Sequence, residues 1–152
     1  MKAVIQRVNY ASVKVEGETV GEIGRGYLIL FGAAEGDTQA DADRLASKIS
    51  GLRIFSDEND KINLSLSEVG GDILCVSQFT LLADCRKGNR PSFIGAMPPD
   101  EADRLYVYFC ERCEELCACK VGRGVFGADM KVSLENDGPF TVVLECREGK
   151  IV

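Results

Sequence analysis

Hydrophobic and polar residues alternate along the first part of the chain, which is the pattern of half-buried β-strands. Residues 2–8 and 12–16 alternate with a high content of Val and Ile, and the pair 9–10 between them predicts a turn. Residues 26–32 are continuously apolar, which indicates a strand buried on both faces. The pattern therefore predicts a sheet that begins at Lys2, with residues 18–24 as a further strand of its meander.

Two later segments have the periodicity of amphipathic helices. Asp37 can cap a helix that runs to about Ser50, where Gly51 ends it. Residues 98–100 open a second helix, because proline is favoured in the first helical turn. The apolar stripe of this second helix comprises Ala102, Leu105, Tyr106, Phe109, Cys113 and Leu116.

Further strands are predicted at residues 72–82, 120–126, 130–135 and 140–146. Two helices among mostly sequential strands predict an α+β fold, with a curved, mostly antiparallel sheet or barrel-like domain and two main helices. A length of 152 residues is typical of one domain, so we expect a single domain over residues 1–152.

Composition narrows the class of protein. The chain is 45% hydrophobic and 28% charged, which is typical of a globular protein and excludes a disordered or collagen-like one. Its longest apolar stretch, residues 27–34, is far shorter than the roughly 20 residues of a membrane helix. No secretory hydrophobic region follows the N-terminus. We therefore expect a cytoplasmic protein without a membrane partner.

The chain contains no histidine. This excludes Ser-His-Asp and Cys-His catalysis, and it excludes histidine-ligated zinc. Any chemistry must therefore use hydroxyls, thiols, carboxylates, lysine, backbone amides or groups of the substrate itself.

The net charge is −6, so a broad basic face for nucleic acid is not evident. Two small basic spots exist nevertheless: Arg86, Lys87 and Arg90 lie within five residues, and Lys120 is close to Arg123. Either spot can hold a few phosphates, although charge alone favours an ordinary solvated loop.

The seven cysteines indicate reduced thiols rather than a disulfide framework, because their number is odd and no export signal is present. Four of them are clustered at Cys110, Cys113, Cys117 and Cys119. A structural zinc site is one interpretation of this cluster. Packing in the core is the favoured one, because the first three cysteines share one face of the predicted helix.

Two short segments combine polar groups with turn-forming residues. In residues 77–81 (SQFTL), an apolar strand suddenly carries hydroxyl and amide side chains, and the backbone N–H groups near Phe79 and Thr80 can stabilise an oxyanion. Outward alternation of polar residues is the alternative interpretation. Residues 136–141 (NDGPFT) are typical of a turn, and the Gly138–Pro139 bond can be cis or trans.

Together these motifs make the chain resemble the D-aminoacyl-tRNA deacylases over essentially its whole length. The ordered segments that carry the resemblance are residues 1–8 (MKAVIQRV), 52–57 (LRIFSD), 77–81 (SQFTL), 87–93 (KGNRPSF), 126–130 (FGADM) and 136–141 (NDGPFT). Phe140 departs from the family pattern, in which a smaller Val is more usual.

The resemblance implies an enzyme that hydrolyses the ester between a D-amino acid and the 3′ end of tRNA and also clears glycine from mischarged tRNA. It implies a cytoplasmic homodimer with no cofactor and no metal. A small β-rich module that binds a ligand or RNA without catalysis is the alternative.

The resemblance also implies roles for individual residues. The catalytic pocket is expected at Ser77, Gln78, Phe79 and Thr80. Selection against L-amino acids is expected from four residues: Gly138, Pro139, Arg7 and Met130. The resemblance implies that the Gly138–Pro139 bond is cis and that this pair enters the pocket of the partner subunit. The candidate contacts to tRNA are Lys87, Arg90, Lys120 and Arg123.

Thr80 is the only hydroxyl that we consider as a nucleophile. The sequence offers no obvious base to activate it, so we expect a non-covalent reaction in which positioned water attacks.

Overall fold

The computed structural model describes residues 1–152 and is organised around one long strand, β1 (Lys2–Val15). Along one edge, β1 pairs with β8 (Met130–Arg147); along the other it pairs first with β3 (Gly26–Gly32) and then with β2 (Glu18–Ile23). The predicted turn at residues 9–10 is wrong. Both residues are exposed and lie at a register shift against β8, so their polarity marks an irregularity inside a continuous strand.

The sheet is mixed. β6 (Asp72–Ser77) runs parallel to β3, and β7 (Val121–Arg123) runs parallel to β6, whereas the pairs made by β1 are antiparallel. A separate hairpin joins β4 (Arg53–Ser56) to β5 (Ile62–Ser65), and β9 (Lys150–Ile151) pairs with the end of β8. The α+β class and the curved sheet with two helices are confirmed, while the proportion of parallel pairing is higher than the sequence predicts.

Three predicted strands have different bounds in the structure. The strand expected over residues 72–82 ends at Ser77, because the chain turns into a short 3₁₀-helix over Phe79–Leu82. The two strands expected at 130–135 and 140–146 form the single strand β8, and the turn between them is an insertion into that strand. In both cases the local sequence pattern locates the polar residues correctly, but it does not predict the backbone conformation at those residues.

Helices α1 (Gln39–Ser50) and α2 (Pro99–Cys117) pack together with one face of the sheet around the larger hydrophobic core. Thr38, not Asp37, precedes the first helical residue, and the Thr38 N–H donates to the Asp41 carboxylate at 2.9 Å. Asp37 instead accepts from the Ala34 N–H and pairs with the α-ammonium of Met1. Neither helix is long and apolar enough to span a bilayer.

The cysteines of α2 belong to the larger core. Cys110, Cys113 and Cys117 are buried there beside Cys75 of β6, and no group of three or more acidic, cysteine or histidine side chains is arranged to hold a metal ion. Burial raises the pKa of the Cys113 thiol, and burial together with a hydrogen bond to Cys110 raises that of Cys75. The Cys75 and Cys113 thiols therefore stay protonated, and the buried cysteines act as small apolar packing groups.

A second, smaller core of seven residues lies apart from the first. It includes Val13, Leu74 and Val76, and Met130 and Val132 of β8 pack against it. Both cores contribute to the lining of the cavity described next, the smaller one through Val76, Met130 and Val132.

Candidate active site

The backbone leaves two amide groups unpaired where β6 ends. The Gln78 N–H still donates to the Phe31 carbonyl at 2.6 Å, as a last bond to β3. The first N–H groups of any helix lack an acceptor within that helix, and here these belong to Phe79 and Thr80. Hydrogen bonding resumes with the Leu81 N–H, which donates to the Gln78 carbonyl. The strand end therefore presents two free donors.

A cavity of about 280 Å³ lies against this strand end. Its walls are formed by Ser77, Gln78 and Phe79 on one side and by residues 126–130 on the other. Gly32 permits the close approach of β3, because a Cβ there would lie 2.8 Å from the Gln78 carbonyl oxygen. Met130 lines the cavity, in the region where the resemblance places a substrate-binding residue.

Thr80 differs from the three residues before it, because it does not line the cavity. Its hydroxyl oxygen accepts a hydrogen bond from the side-chain amide of Gln78. The carboxylate at the cavity wall, Asp129, is exposed and bonded by Lys131 at 2.8 Å. No base is therefore bonded to the Thr80 hydroxyl, and the site offers an acyl group the free backbone amides and the polar side chains of Ser77 and Gln78.

Residues 137–140 form the second element of interest, which we call the Gly-Pro turn. Gln6 pairs with Thr141 and Val8 pairs with Asn136, so four residues of β8 stand opposite Arg7 alone. The Gly138–Pro139 bond is cis, and both residues are exposed. Gly138 has φ 137°, a conformation that other residues rarely adopt. The insertion therefore projects from the sheet.

Arg7 holds the Gly-Pro turn through hydrogen bonds and ring stacking. It is 8% exposed; its Nε donates to the Asp137 carbonyl at 2.9 Å and its Nη1 to the Ile54 carbonyl at 2.6 Å. The Asp137 carboxylate lies 3.3 Å from the same Nε, and the guanidinium stacks 5.0 Å from the centre of the Phe140 ring. The guanidinium thus joins the turn to β4.

The Gly-Pro turn lies away from the cavity of its own chain. Arg7 pairs with Tyr27, whereas Ser77 at the cavity pairs with Phe31, four residues further along β3. At about 3.3 Å per residue this separation is roughly 13 Å along the strands. Consistent with this, neither Gly138 nor Pro139 lines the cavity.

The basic candidates divide into two groups. Lys87 and Arg90 lie in an exposed loop that follows the 3₁₀-helix, and Phe93 of that loop contacts Phe79 edge-on at 5.1 Å between ring centres. Arg123 pairs with Cys75, near the cavity end of β6, but Lys120 lies beside Asp72 at its opposite end. Phe93 thus connects the loop of Lys87 and Arg90 to the cavity wall, and Arg123 lies near the cavity end of β6, whereas Lys120 lies at the opposite end.

Sequence reasoning assigned no role to Asn136 and Asp137, the residues that fix the base of the Gly-Pro turn. The Asn136 Oδ1 accepts from the Phe140 N–H at 2.7 Å, and its Nδ2 donates to the Thr141 hydroxyl at 3.0 Å. The sequence carries one signal for this role, an amide and a hydroxyl on either side of a Gly-Pro pair, but by itself that pattern predicts only a turn.

A curled mixed sheet, an amide-lined cavity and a projecting Gly-Pro turn together define the class of small α+β proteins to which this chain belongs. The family model described as D-Tyr-tRNA(Tyr) deacylase matches residues 4–145. The chain is 57% identical to a D-aminoacyl-tRNA deacylase of Dehalococcoides mccartyi, over 97% of this chain and 96% of that one. It is equally identical to one of Yersinia pestis, over 95% and 99%.

Two solved structures share the fold of this chain. A protein described as c-Myc DNA unwinding element binding protein is 43% identical, with a TM-score of 0.90 over 97% of this chain and 99% of that one. A probable eukaryotic D-amino acid tRNA deacylase, 21% identical, shares the fold with a TM-score of 0.78 over 93% and 97%. The chain belongs to the D-Tyr-tRNA deacylase family.

Proposed function

We propose that this protein hydrolyses the ester bond of D-aminoacyl-tRNA and releases the free D-amino acid and tRNA. Membership of the family and 57% identity to D-aminoacyl-tRNA deacylases support this activity. The observation that carries the mechanism is the pair of unpaired N–H groups of Phe79, which lines the cavity, and of Thr80, which follows it directly. Because aminoacyl-tRNA is the substrate, we place the enzyme in the cytoplasm, acting as one domain over residues 1–152.

The two free amides serve as an oxyanion hole. Attack on the ester carbonyl places negative charge on its oxygen, and one preorganised donor typically stabilises such a transition state by about 2.7–4 kcal/mol. An aminoacyl ester is already activated, so positioned water and the neighbouring ribose hydroxyl suffice without a protein base. Thr80 contributes its backbone N–H rather than a nucleophilic hydroxyl, because no base is bonded to that hydroxyl.

Chirality is selected by exclusion. The Gly-Pro turn of a partner subunit fills the space that an L side chain needs and leaves the D side chain outside it. Selection by clash recognises no particular side chain, so we expect strong discrimination of L from D and weak discrimination among D-amino acids. Glycine has no side chain to exclude, and we expect its ester to be hydrolysed too.

The turn acts in trans within a homodimer. Its distance of roughly 13 Å along the strands from the cavity of its own chain supports this arrangement. Strand β8 offers the surface for pairing, because its second edge has no partner strand before Cys146 and Val143 on it is 67% exposed. Open edges of this length are normally covered by another chain or blocked.

Binding of tRNA relies on a few local cations. Lys87 and Arg90 are exposed in the loop that Phe93 ties to Phe79, so they can meet the phosphates of the acceptor end while the ester enters the cavity. With a net charge of −6 the rest of the surface contributes little, and we expect modest affinity with a small salt slope.

The decisive experiment compares hydrolysis of D-Tyr-tRNA, L-Tyr-tRNA and Gly-tRNA by purified protein in EDTA. Rapid loss of the D and glycyl esters, with the L ester spared, is expected. Absence of hydrolysis by a folded, dimeric protein would contradict the proposal and favour a module that binds without catalysis. A requirement for added metal would contradict the oxyanion mechanism.

A further inference from the structure

The base of the Gly-Pro turn is closed by the side chain of Asn136. Its Oδ1 accepts from the Phe140 N–H at 2.7 Å, which bridges the residues that enter and leave the turn. Its Nδ2 donates to the Thr141 hydroxyl at 3.0 Å, and that hydroxyl also lies 3.5 Å from the Gln6 side-chain amide of β1. Both polar groups of the Asn136 side chain therefore form hydrogen bonds to the residues at the exit of the turn.

Arg7 and Asn136 hold different parts of the turn. Arg7 bonds the Asp137 carbonyl and stacks on the Phe140 ring, so it fixes the start of the turn and a side chain. It makes no bond to the backbone N–H of Phe140. That N–H is part-buried and has left the β-ladder with β1, so Asn136 is the group that satisfies it.

Loss of this bond would leave the far end of the turn free to move. Gly138 already occupies a backbone conformation with φ 137°, and its position depends on both ends of the insertion being fixed. A turn that excludes L side chains by contact must be placed to within about 0.5 Å, because the clash that it uses disappears as it retreats.

We propose that Asn136 is a positioning residue that sets the discrimination between D- and L-aminoacyl esters by fixing the exit of the Gly-Pro turn. This inference rests on the proposed function and adds to it. Asn136 touches no substrate; it acts through the backbone of Phe140.

The test measures kcat/KM for D-Tyr-tRNA and L-Tyr-tRNA with the wild-type protein, Asn136→Ala and Asn136→Asp. Asn136→Ala removes the acceptor, and we expect the D-over-L ratio to fall at least tenfold, mainly through faster L hydrolysis. Asn136→Asp keeps an acceptor oxygen for the Phe140 N–H and is expected to keep the ratio within threefold. Rescue by Asp separates positioning from a general need for an amide.

Asn9→Ala is the matched control. Asn9 also uses its amide between β1 and β8, donating to Glu135 at 2.7 Å, but it lies outside the turn. We expect an unchanged D-over-L ratio in this variant. A comparable fall in Asn9→Ala, or an unchanged ratio in Asn136→Ala, overturns the inference.

Thermal unfolding and dimerisation are measured for every variant. If Asn136→Ala does not fold, Asn136→Leu replaces it, because leucine has a similar shape and no acceptor for the Phe140 N–H; an unchanged ratio there also overturns the inference. Failure of the wild-type protein to hydrolyse D-Tyr-tRNA contradicts the proposed function instead, so the two failures are distinguishable.

Discussion

The cavity at the end of β6 and the Gly-Pro turn in β8 are built in opposite ways. At the cavity, two backbone donors are unpaired and few side-chain bonds are present. At the turn, Arg7 and Asn136 together satisfy the backbone at both ends. The difference fits the roles that we propose for the two regions: a region that binds a charged transition state needs free donors, whereas a region that excludes by shape needs fixed atoms.

The strongest way to break the comparison is Gly138→Ala. A Cβ at Gly138 would lie 3.0 Å from the Phe140 nitrogen and 3.1 Å from an Arg7 guanidinium nitrogen, and φ 137° disfavours any side chain. We expect the D-over-L ratio of kcat/KM to fall roughly 100-fold or more, which corresponds to about 2.7 kcal/mol. Gly24→Ala is the control, because a Cβ there meets nothing within 4 Å. A selective Gly138→Ala protein would mean that the turn is not the excluding element.

Arg7→Lys tests whether the turn is held by directional bonds. Lysine keeps the charge but cannot reach the Asp137 and Ile54 carbonyls together, so we expect a loss of about 2–4 kcal/mol in urea unfolding. Arg25→Lys is the matched control: Arg25 stacks 5.0 Å from the Phe55 ring centre but is exposed, and should lose less than about 1 kcal/mol. Equal losses would show that stacking alone holds Arg7.

Charge reversal tests whether the basic loop beside the cavity binds tRNA. Lys87→Glu combined with Arg90→Glu should raise KM for D-Tyr-tRNA about tenfold and lower the salt slope by roughly 1.5, with kcat nearly unchanged. Lys48→Glu combined with Lys120→Glu makes the same change in net charge away from the cavity, and should alter KM less than about twofold. Unchanged KM in the first pair would contradict the assignment of these two residues.

The smallest effect is expected for Thr80→Val, which removes the hydroxyl and keeps the backbone N–H. The single-turnover rate should fall less than about threefold, since the reaction needs the amide and not the nucleophile. Rapid-quench measurement with D-Tyr-tRNA provides the rate. Trapping of an acyl group on Thr80 of the unaltered protein would contradict this mechanism directly.

Hydrophobic pattern predicted burial better than it predicted pairing. The alternation around β1 and the apolar run of β3 were interpreted correctly as strands, because side-chain burial imposes those patterns locally. The polarity of residues 9–10 predicted a turn, yet pairing with β8, more than a hundred residues away, keeps the strand continuous. No local signal reports a partner that distant.

Prediction of the candidate site was limited in the same way, because local sequence carries no information about distant strand partners. The motif at Ser77–Phe79 could be located from the sequence, and these residues do line one cavity. The bonds that hold the turn could not be predicted from local pattern, because only the pairing of β1 with β8 brings Arg7 and Asn136 to the same turn. Lys120 and Arg123 are near neighbours in sequence, but an extended strand separates them: Lys120 precedes β7 and Arg123 ends it.

The distance between each Gly-Pro turn and the cavity of its own chain has a consequence for genetics. If the turns act in trans, as we propose, a chain with a defective turn impairs the cavity of the copy with which it pairs, whereas its own cavity is completed by a normal partner. In a cell that makes both versions, we therefore expect the loss of selectivity to be partly dominant.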